Sequence, residues 1–393
     1  GNLPPVAERL PADPPVIEPY KEIGNYGGTA VEWQAQMDWG SPWKGSELGG
    51  WLGWNRNMGR VTPDVKKIVP HIIQGWEYSS DYKTLTINLR EGVKWSDGEL
   101  FTSEDYSFWW NHVANNKDLN PVSPESWKPP IVGFEAVDKY TVKFELGKPS
   151  PYFHRGSTLA TAGRITPKHF LKQFHPDFVD KEKLMEEADE AGLDTWFEYY
   201  EYRNQLGHPD RVTRPTLIRP YVVVEEKENY MVLERNPYYP FVDTEGNQLP
   251  YIDKIRLKLA NSREMLISKV ATGDITWAGR DIGPQQIPLF KRYAEKSGTN
   301  THIFQGLGKD WTPQLNLAHQ DPKLREIFQD IRFRKALSFG IDRNEVNRKV
   351  YFGQAIPRQA TLMPGSKYIK PDYGQIAADF DKEKARSLLE EMG

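Results

Sequence analysis

Alternation of apolar and polar residues predicts strands at several places along the chain. In residues 76–90 the apolar side chains Leu85, Ile87 and Leu89 alternate with Thr84, Thr86 and Asn88, after a turn at Ser80-Asp81. This period of two predicts a hairpin with one apolar face. The same period predicts strands in TAVEWQAQM (29–37), in a hairpin at 134–149, in a strand pair at 219–239 and in IDKIRLKLA (252–260).

Helical periodicity marks other parts of the chain. Residues 166–206 are predicted helical, and SREMLISKVATG (262–273) is a helix with Gly273 as its stop. A short strand is expected in DITWAG (274–279), followed by helices in residues 324–341 and 381–393. Strands and helices mixed over 393 residues indicate an α/β protein with two or three domains.

The stretch WSDGELFTSEDYSFWW (95–110) combines acidic residues with tryptophans. Thr102 and Asp105 have the spacing of a capping box, with Phe101 and Tyr106 placed as a hydrophobic staple. Glu104 and Asp105 are therefore interpreted as carboxylates at the start of a helix, where the helix dipole favours them, and not as catalytic acids. We expect Trp95, Trp109 and Trp110 to pack a core.

Composition excludes several kinds of function. The net charge of −3 gives no basic field for nucleic acid, and the absence of cysteine excludes disulfides and thiolate chemistry. The eight histidines lack metal-site spacing, so no transition-metal site and no cofactor are expected. The oxygen-rich DTEGN (243–247) fits a solvated turn better than a Ca²⁺ loop. No long apolar run suggests a transmembrane helix.

Five ordered segments resemble the family 5 extracellular solute-binding proteins of ABC importers, which take peptides, nickel or oligosaccharides. They span about residues 23–393 and read DYKTLTINLREGVKWSDGELFTSED, ERNPYYPFVDTEGNQLPYIDKIRLKL, SREMLISKVATGDITWAG, FQDIRFRKALSFGIDRNEVNRKVYFGQAIPRQ and FDKEKARSLLEEMG. The resemblance implies a type II periplasmic-binding-protein-like fold (cluster C), with two α/β lobes around a cleft that closes on the ligand.

The resemblance also implies a division into domains. Residues 1–22 would form an extended arm, residues 23–44 and 213–262 the first lobe, residues 45–212 an extra subdomain of that lobe, and residues 263–393 the second lobe. In the family the chain continues beyond the last of the matching segments, so the second lobe is expected to be truncated at Gly393.

The resemblance places the ligand where the first strand ends and where the chain crosses between the lobes. The residues implied at the cleft are Asp38, Trp39, Trp43, Trp277, Arg280, Asp281, Trp311 and Asn316. Tryptophan would offer a stacking face, whereas Arg280 and Asp281 would supply charge-assisted hydrogen bonds. Core packing or a surface ion pair is the alternative role for each.

The expected function is capture of an oligopeptide outside the cytoplasm and its delivery to the membrane subunits of an ABC importer, without catalysis. An oligosaccharide is the alternative solute, since the chain has 13 tryptophans. A carbohydrate-active hydrolase and a structural or chaperone-like protein are alternatives of other classes. The resemblance implies a monomer in the periplasm or on the extracellular face of the membrane, with a lipid anchor on the full-length protein left open.

Overall fold

The computed structural model describes residues 3–35, 59–62, 67–126, 130–153, 166–204, 219–279, 282–303, 312–362, 368–370 and 372–393. Within these residues the strands are β1 (Thr29–Ala35), β2 (Gly59–Val61), β3 (Ile68–Pro70), β4 (Ile73–Tyr78), β5 (Thr84–Leu89), β6 (Ile131–Asp138), β7 (Thr141–Leu146), β8 (Tyr221–Glu226), β9 (Tyr230–Arg235) and β10 (Lys254–Ala260).

Helices alternate with these strands and then dominate the C-terminal part. They are α1 (Val6–Arg9), α2 (Ser103–Phe108), α3 (Lys168–Leu171), α4 (Lys181–Glu190), α5 (Trp196–Asn204), α6 (Arg263–Thr272), α7 (Ile287–Ser297), α8 (Pro322–Gln329), α9 (Ile331–Phe339), α10 (Arg343–Val350) and α11 (Lys382–Glu390). A π-helix (Trp109–Ala114) continues α2. No helix in the described ranges is both long and apolar enough to cross a membrane.

The chain divides into two compact units. The first unit comprises Gly1–Lys269 and Asp274–Asp281, and the second comprises Val270–Gly273 and Ile282–Gly393.

The first unit contains a mixed sheet in the order β1–β10–β9–β8. β1 runs parallel to β10, and the other neighbours are antiparallel. Parallel strands need a long crossover, and here some 218 residues separate Ala35 from Lys254. These residues include strands β4 to β7, which form a separate sheet. One face of the sheet packs an apolar cluster of Ala30, Tyr221, Met231, Leu233, Ile255 and Leu257.

A second sheet in the first unit has the antiparallel order β4–β5–β7–β6. The predicted hairpin is confirmed, because Leu85, Ile87 and Leu89 are at most 1% exposed while the intervening residues are partly exposed. Phe144 of β7 adds to the same core, in which Trp95 and Trp109 are 2% exposed and Trp110 is packed against them. The prediction that these tryptophans pack a core is therefore confirmed.

The predicted capping box begins α2. Thr102 Oγ1 accepts from the Glu104 N–H at 3.3 Å, and Asp105 Oδ2 accepts from the Thr102 N–H at 3.1 Å. The second Asp105 oxygen accepts from the Lys168 N–H at 3.0 Å, so one carboxylate joins the starts of α2 and α3. Desolvation by burial outweighs these hydrogen bonds and raises the pKa of Asp105 to about 6.

The N-terminal arm lies against the first unit, and a single turn, α1, interrupts it. Arg9 Nη1 donates to the Pro237 carbonyl at 2.8 Å, and Arg90 Nη1 bonds the Asp13 carboxylate at 2.5 Å. Ile17 N–H donates to the Val242 carbonyl at 2.8 Å. The arm is therefore attached at several points along its length.

In the described part of the second unit the secondary structure is helical. The predicted helical stretch at 324–341 forms two helices, because Asp330 ends α8 and its carboxylate caps α9 by accepting from the Arg332 N–H at 2.7 Å. Asp381 caps α11 in the same way, and its own N–H donates to the Phe339 carbonyl at 2.9 Å. α11 therefore packs onto α9.

Candidate ligand-binding site

The segment after α6 lies along the free edge of β1. Thr276 N–H donates to the Val31 carbonyl at 2.8 Å, and Val31 N–H donates to Thr276 Oγ1 at 3.0 Å. The Trp33 indole N–H donates to the Asp274 carbonyl at 3.0 Å. The strand predicted at 274–279 is wrong: these contacts hold a segment that has no regular strand structure and bends at Thr276.

These bonds fix the residue that follows Thr276. Trp277 is 48% exposed, more than any other tryptophan of the described residues. A buried tryptophan only fills a core, whereas a half-exposed ring on an anchored segment can stack on an apolar ligand face. Trp277 is thus placed as a surface aromatic of the first unit, at the edge of its sheet.

Unlike the exposed ring of Trp277, the Trp33 ring lies beside two ammonium groups. The ammonium groups of Lys258 and Lys269 each lie 5.1 Å from the centre of its ring, within cation–π range. Lys269 Nζ also bonds the Asp274 carboxylate at 2.8 Å, and this hydrogen bond lowers the pKa of Asp274. Together with the indole hydrogen bond to the Asp274 carbonyl, these contacts attach the segment at 274–277 to β1.

The opposite face of β1 buries polar side chains. Glu32 and Gln34 are 4% and 5% exposed, and their partners across the ladder are Leu257 and Leu259. Gln34 Oε1 has no hydrogen-bond partner in the part of the chain that the structure describes. Buried polar atoms are nearly always paired, so this unpaired acceptor is an unusual feature of the sheet. Sequence reasoning missed both residues, although alternation had placed them on one face.

Two of the eight residues predicted at the ligand lie among the described ones. Trp277 belongs to the first unit and Asn316 to the second. The other six lie outside the described residues: Asp38, Trp39, Trp43, Arg280, Asp281 and Trp311.

Asn316 has a local role within the second unit. Its Oδ1 accepts from the Ala318 N–H at 3.1 Å, and its main-chain carbonyl accepts from the His319 N–H at 3.1 Å. This is an Asx turn, a common structural use of asparagine. The side chain remains exposed, so its amide nitrogen can still donate to a ligand.

The DTEGN loop is a turn organised by Asp243. Its carboxylate accepts from the main-chain N–H groups of Glu245 and Asn247, both at 2.9 Å, and from the Tyr251 hydroxyl at 2.6 Å. Burial raises the pKa of Asp243, but these hydrogen bonds outweigh it and lower the pKa to about 2. The interpretation as a turn is confirmed, but Asp243 is buried, at 1% exposed, and not solvated.

Comparison with known proteins gives the family. The sequence model described as "Bacterial extracellular solute-binding proteins, family 5 Middle" matches residues 67–393. The periplasmic alpha-galactoside-binding protein of Rhizobium meliloti (strain 1021) is 28% identical over an alignment covering 100% of this chain and 57% of the relative.

Two solved structures resemble the whole chain. An oligopeptide-binding protein OppA is 33% identical with a TM-score of 0.73, and the chain covers 61% of it. A periplasmic binding protein from Agrobacterium fabrum C58, in complex with stachyose, is 22% identical with a TM-score of 0.70 and 60% covered. The chain thus spans about three fifths of the length of these relatives. The predicted fold class is confirmed as that of type II periplasmic binding proteins. The chain belongs to the family 5 bacterial extracellular solute-binding proteins.

Proposed function

We propose that this protein captures an oligosaccharide or an oligopeptide outside the cytoplasm and delivers it intact to the membrane subunits of an ABC importer. The family membership supports a binding role, and the names of its relatives support both solute classes. In this proposal the protein works as a monomer in the periplasm or at the outer face of the membrane. A lipid anchor is compatible with the second location.

The first solute to test is an oligosaccharide of the α-galactoside type. Two relatives matched over the whole chain are an α-galactoside-binding protein and a protein solved with stachyose. An oligopeptide, placed first from the sequence, remains a full second candidate, because the structure that is 33% identical over the whole chain is an oligopeptide-binding protein. Calorimetric titration with stachyose and with a mixed tri- to pentapeptide panel distinguishes the two.

The observation that carries the proposal is the placement of Trp277. The Val31–Thr276 hydrogen bonds anchor its segment, and the ring is 48% exposed. A stacked aromatic face contributes about 0.5–1.5 kcal/mol beyond its buried area. We therefore expect Trp277→Ala to weaken solute binding by roughly 2- to 13-fold or more, and Trp277→Phe, which keeps a ring, to lose less.

A matched control separates ligand contact from a general surface effect. Tyr20 is 96% exposed and lies in the N-terminal arm, so Tyr20→Ala should leave solute affinity unchanged. Equal affinities of the wild-type protein and Trp277→Ala would remove Trp277 from the site without removing the binding function.

The remaining site residues and the domain boundaries form part of the same proposal. The first sheet would be the core of a first lobe made of residues 23–44 and 213–262, and the second sheet would belong to an extra subdomain at 45–212. Residues 263–393 would contribute to the second lobe. Asp38, Trp39, Trp43, Arg280, Asp281, Trp311 and Asn316 remain candidates for ligand contact beside Trp277.

A further inference from the structure

Three side chains with metal-binding atoms meet in the second-sheet region of the first unit. His112 lies in the π-helix, and His175 and Asp177 follow the short helical turn at 172–174. His112 Nδ1 is 2.6 Å from Asp177 Oδ2, and His175 Nδ1 is 3.6 Å from the same oxygen. The three ligand atoms lie within 4.8 Å of one another. Spacing along the sequence does not suggest this group, because the two histidines lie 63 positions apart in the chain.

Hydrogen bonds define the protonation of His175. Its side chain is fully buried, and its Nε2 lies 2.9 Å from the His112 carbonyl, which can only accept. Nε2 therefore carries the proton, and Nδ1 presents a lone pair. That lone pair accepts from the Asp177 N–H at 3.2 Å. Nδ1 thus faces a carboxylate oxygen with no proton directed from the ring toward that oxygen.

The His175 ring is oriented as in histidines that ligate metals. Histidines that ligate metals usually donate the other ring N–H to a carbonyl or a carboxylate, and this bond fixes the ring. The Trp196 and Tyr200 rings pack against the His175 imidazole with centroids 5.2 and 5.9 Å away, and so hold it rigidly. His112 stands in a π-helix, a rare element that occurs often at functional sites.

We propose that His112, His175 and Asp177 bind a divalent transition-metal ion, with Zn²⁺ as the best fit. Two imidazole nitrogens and one carboxylate oxygen are a usual zinc ligand set, whereas Ca²⁺ and Mg²⁺ favour oxygen alone. Ligands of a tetrahedral zinc ion lie about 3.4 Å apart, so the 2.6 Å His112–Asp177 contact opens and the His175 bond to the Asp177 N–H gives way. The proton that His112 Nδ1 shares with the Asp177 carboxylate leaves Nδ1 when the ion binds, because His112 takes the tautomer protonated at Nε2 or releases the proton to solvent. The Asp177 side chain is 54% exposed, which leaves a fourth position for water.

The ion would join the π-helix to the segment at 175–177. Its role is therefore to stabilise this part of the first unit, separately from solute capture. Binding of a ligand to the folded state alone raises the unfolding temperature, and a site formed by two distant segments should show this linkage.

The test is calorimetric titration of Zn²⁺ into tag-free protein that has been dialysed against chelator. We expect one equivalent of Zn²⁺ per chain and a rise in unfolding temperature on its addition. His112→Gln and Asp177→Asn each remove one ligand at a partly exposed position, and each should lower zinc affinity by about 10-fold or more.

His169→Gln is the matched control. His169 Nε2 also contacts a carboxylate, Asp97 Oδ2, at 2.8 Å, but the described residues supply no third ligand there. This variant should bind zinc like the wild-type protein. The proposal would be overturned if the wild-type protein did not bind zinc. It would also be overturned if His112→Gln and Asp177→Asn bound zinc as tightly as the wild-type protein. Neither result would affect solute binding, which is measured independently.

Discussion

Asp105 predicts an unusual dependence of stability on pH. The carboxylate is 3% exposed and accepts hydrogen bonds from Thr102, Lys168 and, at 3.4 Å, the Trp95 indole. Burial nevertheless raises its pKa from 3.8 to about 6 in the folded protein. A group with a raised folded pKa binds its proton more tightly when folded, so protonation favours folding.

The sign and size of the effect follow from these two pKa values. Well below pH 4 the Asp105 carboxyl is protonated in both states and adds no pH dependence. As the pH rises from about 4 to about 6, the unfolded chain ionises first, and the contribution of this group to the free energy of unfolding falls. A difference of about 2 pKa units corresponds to about 3 kcal/mol. About one pH unit above 6 the loss is complete and constant.

Asp105→Asn isolates this contribution. The amide does not titrate, and the loss of one acceptor oxygen costs stability equally at every pH. Urea unfolding of both proteins between pH 4 and pH 7.5 gives the difference in free energy of unfolding at each pH. That difference should shift by about 2 kcal/mol in favour of Asn between pH 4 and pH 7.5, because Asp105 titrates in only one of the two proteins while the titration of groups remote from it is common to both. A difference that stays flat would show that Asp105 is not buried as described.

Two further substitutions test the core and the first sheet. Trp109→Ala removes a large side chain that is 2% exposed, so in denaturant melts it should lower the free energy of unfolding by about 3–5 kcal/mol. The folded fraction should keep its solute affinity, and a reduced affinity would instead place Trp109 in the binding function. Gln34→Met replaces the side chain that carries the unpaired buried Oε1 with an apolar one of similar shape. The free energy of unfolding should stay unchanged or rise by about 1 kcal/mol. A large decrease would show that Gln34 has a hydrogen-bond partner.

The sequence predicts local elements well where the signal is contained within a short segment. The Thr102–Asp105 cap and the alternation from Thr84 to Leu89 need only a few neighbouring residues, and both form as predicted. The sequence predicts one helical stretch at 324–341, but the carboxylate of Asp330 divides it by capping a second helix.

Properties that depend on distant segments could not be predicted. Alternation in β1 indicates two faces, but only the sheet shows that Glu32 and Gln34 lie on the buried one, because β8, β9 and β10 come about 200 residues later. The contact of Thr276 with Val31 and the meeting of His112 with His175 are equally non-local. The ligand-contact residues were inferred from resemblance, and local pattern offers no signal for them.

The most direct test of the proposed function is equilibrium dialysis of the purified protein with labelled stachyose and with labelled oligopeptides, followed by chromatography of the bound fraction. The proposal predicts saturable binding of one of these solutes, about one molecule per chain, and its recovery intact after the protein is denatured. Cleaved solute in the bound or free fraction would instead indicate a hydrolase, and absence of saturable binding to either class would contradict the proposed function.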